Sequence, residues 1–167
     1  EMMEQRVYHS NTKVDECWSK YLDGVDVERY NLNWSGGWIL YGENLAHPRD
    51  ARLYQGKRIV VRQIPGALPH AIHATICDEN YINDRNSMIV KCDDSPYSIY
   101  FILGILNSKV TSTWFDYYFD KFQRNLFPQF KIAELGEFPM PNIDMRTEEG
   151  RSMHEKLHSL VIHRLKA

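Results

Sequence analysis

The sequence predicts an α+β fold, because strand-like segments fill its first half and helix-like segments fill its second. Four short apolar stretches, at 38–41, 59–61, 72–77 and 87–92, have the residue types or the alternation of β-strands. Three segments with helix caps or helical spacing follow them. At 167 residues with 43% hydrophobic content, the chain is long enough for one core but too short for two independent domains. We expect one domain over residues 1–145 and an amphipathic helix over 146–167.

The strands of the first half are predicted to be short and separated by long loops. Residues through about 26 mix polar and aromatic side chains without a sustained period, which is typical of loop with short strands. Gly36-Gly37 marks a turn before the run 38–41. The β-branched run Ile59-Val60-Val61 predicts a strand with a buried middle, and residues 72–77 alternate between apolar and polar side chains.

Capping residues place the helices of the second half. Asp94-Ser95-Pro96 is expected to start the first helix, because proline at the first helical position lacks a donor that would otherwise be unpaired. Asn107-Ser108 ends that helix and caps a second one, which runs on through aromatic residues to Phe122. Thr147, followed by acidic residues in the first turn, opens the last helix, whose amphipathic face needs a partner surface.

The second helix carries a dense aromatic group. Aromatic rings can serve as platforms on which nucleobases stack. Their helical spacing favours burial in the core instead, and we expect most of them there. The group consists of Trp114, Phe115, Tyr117, Tyr118, Phe119 and Phe122.

The charge of the chain is unevenly distributed. The net charge of −2 argues against a nucleic-acid ligand, since DNA affinity comes largely from Lys and Arg side chains that neutralise phosphates. A local positive field can nevertheless exist on a nearly neutral protein. Positions 49 to 62 contain one acid, Asp50, and five cations, which are Arg49, Arg52, Lys57, Arg58 and Arg62. This cluster is either a DNA-binding feature or an ordinary solvated strand edge.

Other polar residues have the chemistry to read base edges. Arginine forms bidentate hydrogen bonds to guanine, and Asn or Gln forms them to adenine. Gln123-Arg124-Asn125 has these side chains in a predicted loop, where a solvated helix end is the alternative interpretation. His70 precedes the predicted strand 72–77, His73 lies within it, and both are further candidates.

Catalytic and metal-binding patterns are weak. His70, His73, Cys77 and Asp78 include zinc-type ligands, but along a strand His73 and Cys77 would lie roughly 13 Å apart, which is too far for one metal ion. Cys77 or Cys92 could be paired with a histidine as a nucleophile, yet neither has a local signature. The sequence has no nucleotide-binding glycine loop and no Asn-Pro-Pro-Tyr motif of amino-group DNA methyltransferases.

Four sequence blocks occur in an order that resembles a known family. Gly24, Asp26, Arg29 and Tyr30 match an opening Gly-x-Asp-x-x-Arg-Tyr block, and residues 57–62 match a Lys/Arg-rich strand that ends in arginine. Ala74, Thr75 and Asp78 match a third block. The last block is Leu-Asn-Ser-Lys at 106–109 with a late Leu-x-x-Phe-Pro-x-Pro at 135–141. Together, over about residues 21–141, they resemble the TaqI-like C-terminal specificity domain of bacterial restriction–modification enzymes.

The resemblance implies a fold and a function. The implied fold is a target-recognition domain with a small twisted mixed or antiparallel sheet and C-terminal helices, in which the last helix serves as a spacer or packing helix. The implied function is sequence-specific recognition of double-stranded DNA without catalysis or a cofactor in this domain. The expected DNA contacts, chosen by their chemistry, are Arg49, Arg52, Lys57, Arg58, Arg62, His70, His73, Gln123, Arg124 and Asn125.

The resemblance also implies a partner. The domain would follow an adenine-N6 methyltransferase domain that binds S-adenosylmethionine, sometimes fused to a nuclease, in the same cytoplasmic polypeptide. Two alternatives remain at this stage. The near-neutral charge, the aromatic content and the amphipathic last helix fit a protein-interaction module, while a stand-alone enzyme would need a catalytic constellation that the sequence does not assemble.

Overall fold

The computed structural model describes residues 6–119 and 129–167. The α+β prediction is confirmed: small, mainly antiparallel sheets come first and helices follow. The strands are β1 His9–Ser10, β2 Trp18–Leu22, β3 Val27–Glu28, β4 Asn31–Leu32, β5 Trp38–Leu40, β6 Arg58–Arg62, β7 Ala74–Cys77, β8 Ile82–Asn83 and β9 Ser87–Val90. The helices are α1 Ile99–Leu106, α2 Lys109–Tyr118, α3 Ile132–Leu135 and α4 Glu148–Lys166. Short 3-10 turns occur at Gly24–Asp26 and Ala51–Tyr54.

The sheet at the centre of the molecule has the strand order β7-β6-β9, with both neighbours antiparallel to β6. Successive strand residues point to opposite faces. Ile59 and Val61 therefore pack into the main core with the helices, whereas Val60 packs into a second cluster on the other face. The predicted buried middle of this strand is confirmed, since all three side chains are fully buried.

A second sheet lies beside the first and has the order β1-β5-β2-β8. It is mixed, because β8 runs parallel to β2 while the other pairs are antiparallel. Tyr21, Ile39 and Ile82 from this sheet form a small buried cluster with Tyr54. Strand β8 was not anticipated, because its two residues lie within a stretch of turn-forming polar residues.

The helix caps were predicted correctly at three sites and wrongly at one. Ser108 caps α2 and Thr147 caps α4 through their side-chain oxygens, and α1 ends at Asn107. The start predicted at 94–96 is wrong: Ser98 is the cap, and its hydroxyl accepts a hydrogen bond from the Phe101 amide. The residues before Ser98 instead form a turn, in which the Ser95 hydroxyl accepts a hydrogen bond from the Tyr97 amide.

Helix α4 packs against α1, which provides the partner surface that its amphipathic face required. Leu157 and Val161 contact α1 at Gly104, where an added Cβ would lie 2.9 Å from a Val161 methyl group. Two side chains of α4 also bond the start of α1: His154 Nε2 accepts the Ser98 amide at 2.9 Å, and His158 Nδ1 lies 2.8 Å from the Ser98 hydroxyl.

The aromatic group of α2 is divided between core and surface. Phe115 is 1% exposed and contacts the rings of Phe130 and Phe138, as the helical spacing predicted. Tyr117 and Tyr118, in contrast, are largely exposed. Phe122 lies outside the described residues. Among the residues that the structure describes, no helix is both long and apolar enough to span a membrane.

Candidate DNA-binding surface

One end of the β7-β6-β9 sheet gathers cationic side chains from separate parts of the chain. There the C-terminal end of β6 meets the N-terminal ends of β7 and β9. The Arg62 amide donates a hydrogen bond to the His73 carbonyl, and the Gln63 amide donates one to the Asn86 carbonyl. Because adjacent strands lie about 4.8 Å apart, the three ends cover roughly 10 Å before side chains are counted. We call this region the basic end. It comprises Arg29, Arg49, Arg62, Gln63, His70, His73, Arg85, Lys109 and Lys131.

On the β9 side of the basic end, the cations border a shallow depression. Its volume is about 380 Å³, and Arg49, Arg85 and Lys131 are among the residues that line it, with Gln63. Lys131 is brought there by the backbone, because the Phe130 amide bonds the Gln63 carbonyl at 3.1 Å. All three cations are exposed. The depression thus offers positive charge and an amide side chain at one place.

On the β7 side, two histidines lie among cations. Burial lowers the pKa of His73, and the nearby charges of Arg62 and Arg29 lower it further, while the Glu28 carboxylate opposes them. The pKa of His70 is also lowered, by desolvation and by the charges of Arg29 and Lys109. Both imidazoles therefore favour the neutral form, which can donate one hydrogen bond and accept another.

The other two cations of the predicted basic strand lie at the opposite end of β6. Four residue steps separate Arg58 from Arg62, a distance of roughly 13 Å along the strand. Lys57 donates to the Tyr100 hydroxyl at 3.3 Å and lies 3.7 Å from Asp78. The structure therefore does not bring Lys57 together with the histidines or with Arg62.

Arg58 has a structural position that the sequence did not reveal. Its side chain is fully buried, and its guanidinium donates to the backbone carbonyls of Gly56, Glu79 and Tyr81. A phosphate cannot reach a guanidinium that is enclosed and engaged in this way. We correct the expectation that Arg58 holds DNA and leave it out of the contact set.

The remaining predicted contacts fall into two groups. Arg52 is highly exposed but forms an ion pair with Asp50, whose pKa the guanidinium holds at about 2. Gln123, Arg124 and Asn125 lie outside the described residues, so their role stays a prediction. Sequence reasoning missed Arg29, Arg85, Lys109 and Lys131, of which Arg29 and Lys109 had a signal, namely their places in the recognised blocks.

Three of the four sequence blocks meet around Ala74. The Asn107 side chain donates to the Ala74 carbonyl at 2.9 Å and accepts the Ala74 amide at 3.0 Å. The amide of Tyr30, whose φ is +64°, donates to the same carbonyl. Arg29 donates to the Asn107 carbonyl at 3.0 Å. These block residues hold the β3–β4 turn and the α1–α2 junction against the edge strand β7, beside the basic end.

The structure gives no support to the catalytic alternatives within the part of the chain that it describes. No cluster of three or more His, Cys, Asp or Glu side chains there could hold a metal ion. The strand predicted over 72–77 is shorter in the structure, where His73 precedes β7 and Cys77 ends it. Burial raises the pKa of both the Cys77 and the Cys92 thiols, which disfavours the reactive thiolate.

These features define a small α+β domain in which side-chain and backbone hydrogen bonds around Ala74 support a cationic sheet end. The chain belongs to the TaqI-like C-terminal specificity domain family, whose model matches residues 19–140. This family has a DNA-specificity role in restriction–modification systems, and a specificity domain is generally the non-catalytic part of such a system. No curated protein matches the chain significantly.

Proposed function

We propose that this domain recognises a specific sequence in double-stranded DNA through the basic end. It would thereby position a separate methyltransferase domain of the same polypeptide, which uses S-adenosylmethionine to methylate adenine at N6. Where the system has a nuclease, the domain would position that as well. The target adenine must leave the helix for that reaction, because its N6 cannot be reached within a base-paired stack. S-adenosylmethionine belongs to the separate domain, and no residue of this chain is assigned to it.

The observation that carries the proposal is the concentration of cations at one sheet end. The whole chain has 20 Lys and Arg against 22 Asp and Glu, so an even distribution would give no positive surface. Instead, six Lys and Arg side chains lie around the basic end in two groups: Arg29, Arg62 and Lys109 near the histidines, and Arg49, Arg85 and Lys131 around the depression. Phosphate contacts position a protein on DNA, and the same side chains can reach base edges.

The neutral polar groups of the basic end are suited to reading base edges, whereas its cations are suited to holding phosphates. Gln63 has an amide that can pair with an adenine edge. The Nδ1 atoms of His70 and His73 are buried, so each neutral ring can offer only its Nε2 to a base edge, as a donor or as an acceptor according to the tautomer. Arg124 stays a predicted guanine contact, worth about 1 to 3 kcal/mol of discrimination in a bidentate pair.

Selection from random duplexes tests this function. The chain would be mixed with double-stranded oligonucleotides that contain a randomised centre, and the bound fraction would be sequenced over several rounds. We expect a single enriched motif. Recovery of the starting distribution by a folded chain that still binds DNA would contradict sequence-specific recognition.

The proposed partner domain has its own test in the native gene. An Asn-Pro-Pro-Tyr motif is expected in the reading frame that encodes this chain, because amino-group DNA methyltransferases carry it. A reading frame that contains the whole protein and lacks any methyltransferase motif would contradict the same-polypeptide arrangement.

A further inference from the structure

A separate cavity of about 770 Å³ opens beside the basic end, on the mixed sheet. Its size falls within the range of roughly 300 to 1,000 Å³ that is typical of sites for small ligands. The buried cluster of Tyr21, Ile39, Tyr54 and Ile82 contributes to its lining. The cavity is therefore built on a packed part of the fold rather than on a loop alone.

Aromatic rings form much of the lining. His9 packs edge-on against Tyr21 with ring centres 4.7 Å apart, and Tyr41 packs edge-on against Tyr54 at 5.5 Å. The buried Tyr21 and Tyr54 rings thereby hold the half-buried His9 and Tyr41 rings in a fixed orientation, and these two offer a surface to a planar ligand. Aromatic surfaces of this kind bind nucleobases irrespective of their identity.

Two arginines connect the cavity to the basic end. Arg49 and Arg85 line both the cavity and the smaller depression described above, so they lie where the two meet. Neither guanidinium forms an ion pair with any residue in the described ranges 6–119 and 129–167. Arg6, also in the lining, is in contrast paired with Asp23 at 3.1 Å. Arg49 and Arg85 are thus available to an anionic group at the mouth.

The turn after β8 adds polar groups to the wall. The Asn83 amide nitrogen donates to the Ser87 carbonyl and hydroxyl, which fixes the amide orientation. Its Oδ1 is buried and accepts no hydrogen bond within the described part of the chain. The Asp84 carboxylate accepts hydrogen bonds from both the backbone amide and the side-chain nitrogen of Asn86, and these two bonds make the turn rigid.

We propose that this cavity binds one unpaired nucleotide of a DNA strand. Its base would lie against the aromatic lining, and its phosphate would be held by Arg49 and Arg85 at the mouth. The inference rests on the proposed function, because the strand would arrive at the cavity from a duplex bound on the basic end. An aromatic pocket, a cationic mouth and a continuous path from the basic end are all needed for such a ligand.

The test compares three duplexes of one sequence: fully paired, with one extra unpaired nucleotide, and with an abasic residue at that extra position. We expect the unpaired nucleotide to bind about tenfold tighter than the abasic residue, since stacking of one base on an aromatic side chain contributes a factor of roughly 5 to 150. Ala46→Trp, at an exposed position in the lining, should bring this ratio close to one. Ser159→Trp, on the exposed side of α4, is the matched control and should keep the ratio. Equal affinities for the two bulged duplexes in the unmodified chain would overturn the proposal.

A second titration separates failure of the pocket from failure of the proposed function. The isotope-labelled chain is titrated with deoxyadenosine monophosphate and with deoxyribose 5-phosphate while its amide spectrum is recorded. Shifts around residues 83–86 with the nucleotide alone would support the pocket even if no duplex bound. Identical shifts with both compounds, or none with either, would reject it even if paired duplex bound well.

Discussion

Asn107 shows how much of this architecture depends on a single side chain. It is fully buried and forms both hydrogen bonds that its amide can make to the backbone of Ala74. Its own carbonyl receives the Arg29 side chain. One residue therefore joins the α1–α2 junction to the edge strand β7 and to the β3–β4 turn.

Asn107→Ala should lower the free energy of unfolding by about 1 to 3 kcal/mol, because it leaves the buried Ala74 amide without a partner and removes one of the two donors to the Ala74 carbonyl, which keeps the Tyr30 amide. Urea unfolding of the variant and the unmodified chain measures the change. Asn80→Ala, at an exposed asparagine, is the control and should stay within about 0.5 kcal/mol. A loss below 1 kcal/mol for Asn107→Ala would show that the tie is dispensable.

His73 couples stability to pH. Burial lowers its pKa in the folded chain below the ordinary histidine value of about 6.5, so the unfolded chain binds more protons just below that pH. The stability that depends on neutral His73 is fully present above about pH 6.5 and is lost as the pH falls towards the lower, folded pKa.

His73→Gln should therefore reduce the loss of stability between about pH 6.5 and pH 5. Because His9 and His70 also have lowered pKa values, the comparison is between the variant and the unmodified chain under identical buffers. Urea unfolding at four pH values provides the data. Parallel curves for the two proteins would rule out His73 as a contributor.

At the scale of elements, strand β6 shows what its sequence could and could not predict. Its β-branched centre predicted a buried strand, and the structure confirms this. The cations at its two ends looked like one basic block, yet strand length places Arg58 and Arg62 at opposite ends of the sheet. Arg58 also faces backbone carbonyls that come from distant turns, and no local pattern predicts such partners.

The helices likewise show that local features were predictable and long-range contacts were not. Caps at Ser108 and Thr147 are local features, because the capping oxygen bonds an amide three residues later, and they were predicted correctly. The start of α1 was not, because Ser98 and Pro96 offered competing signals and the histidines of α4 secure Ser98. Short elements such as α3 and β8 have too few residues to show a period.

Gly150 in the first turn of α4 is a position where packing overrides helix propensity. Gly150→Ala should destabilise the chain by about 1 to 3 kcal/mol, although alanine is favoured in helices by about 1 kcal/mol. The reason is that an added Cβ would lie 2.2 Å from the Asp144 carbonyl oxygen. Thermal or urea unfolding gives the value.

Ser152→Ala, at an exposed position two residues further along α4, is the matched control and should change stability by less than about 0.5 kcal/mol. Gly150→Ala with stability equal to or above that of the unmodified chain would contradict the close approach of the 144–147 turn to this helix.

At the scale of the whole molecule, the fold class was predictable and the site only in part. The order of strands before helices follows from local patterns along the chain. The basic end, however, depends on which strand ends meet, and Arg85 and Lys131 come from segments about 45 residues apart. Of the predicted cations, Arg49 and Arg62 lie at this end, while Lys57 lies at the other.

DNA binding by this domain rests on the basic end. The salt dependence of duplex affinity measures it directly, because each lost phosphate contact lowers the slope of log K against log salt by about one. We predict a shallower slope for Arg62→Ala and for Arg85→Ala, and an unchanged slope for Lys57→Ala at the opposite end of β6. Unchanged slopes in the first two variants, with a reduced slope in Lys57→Ala, would contradict the claim.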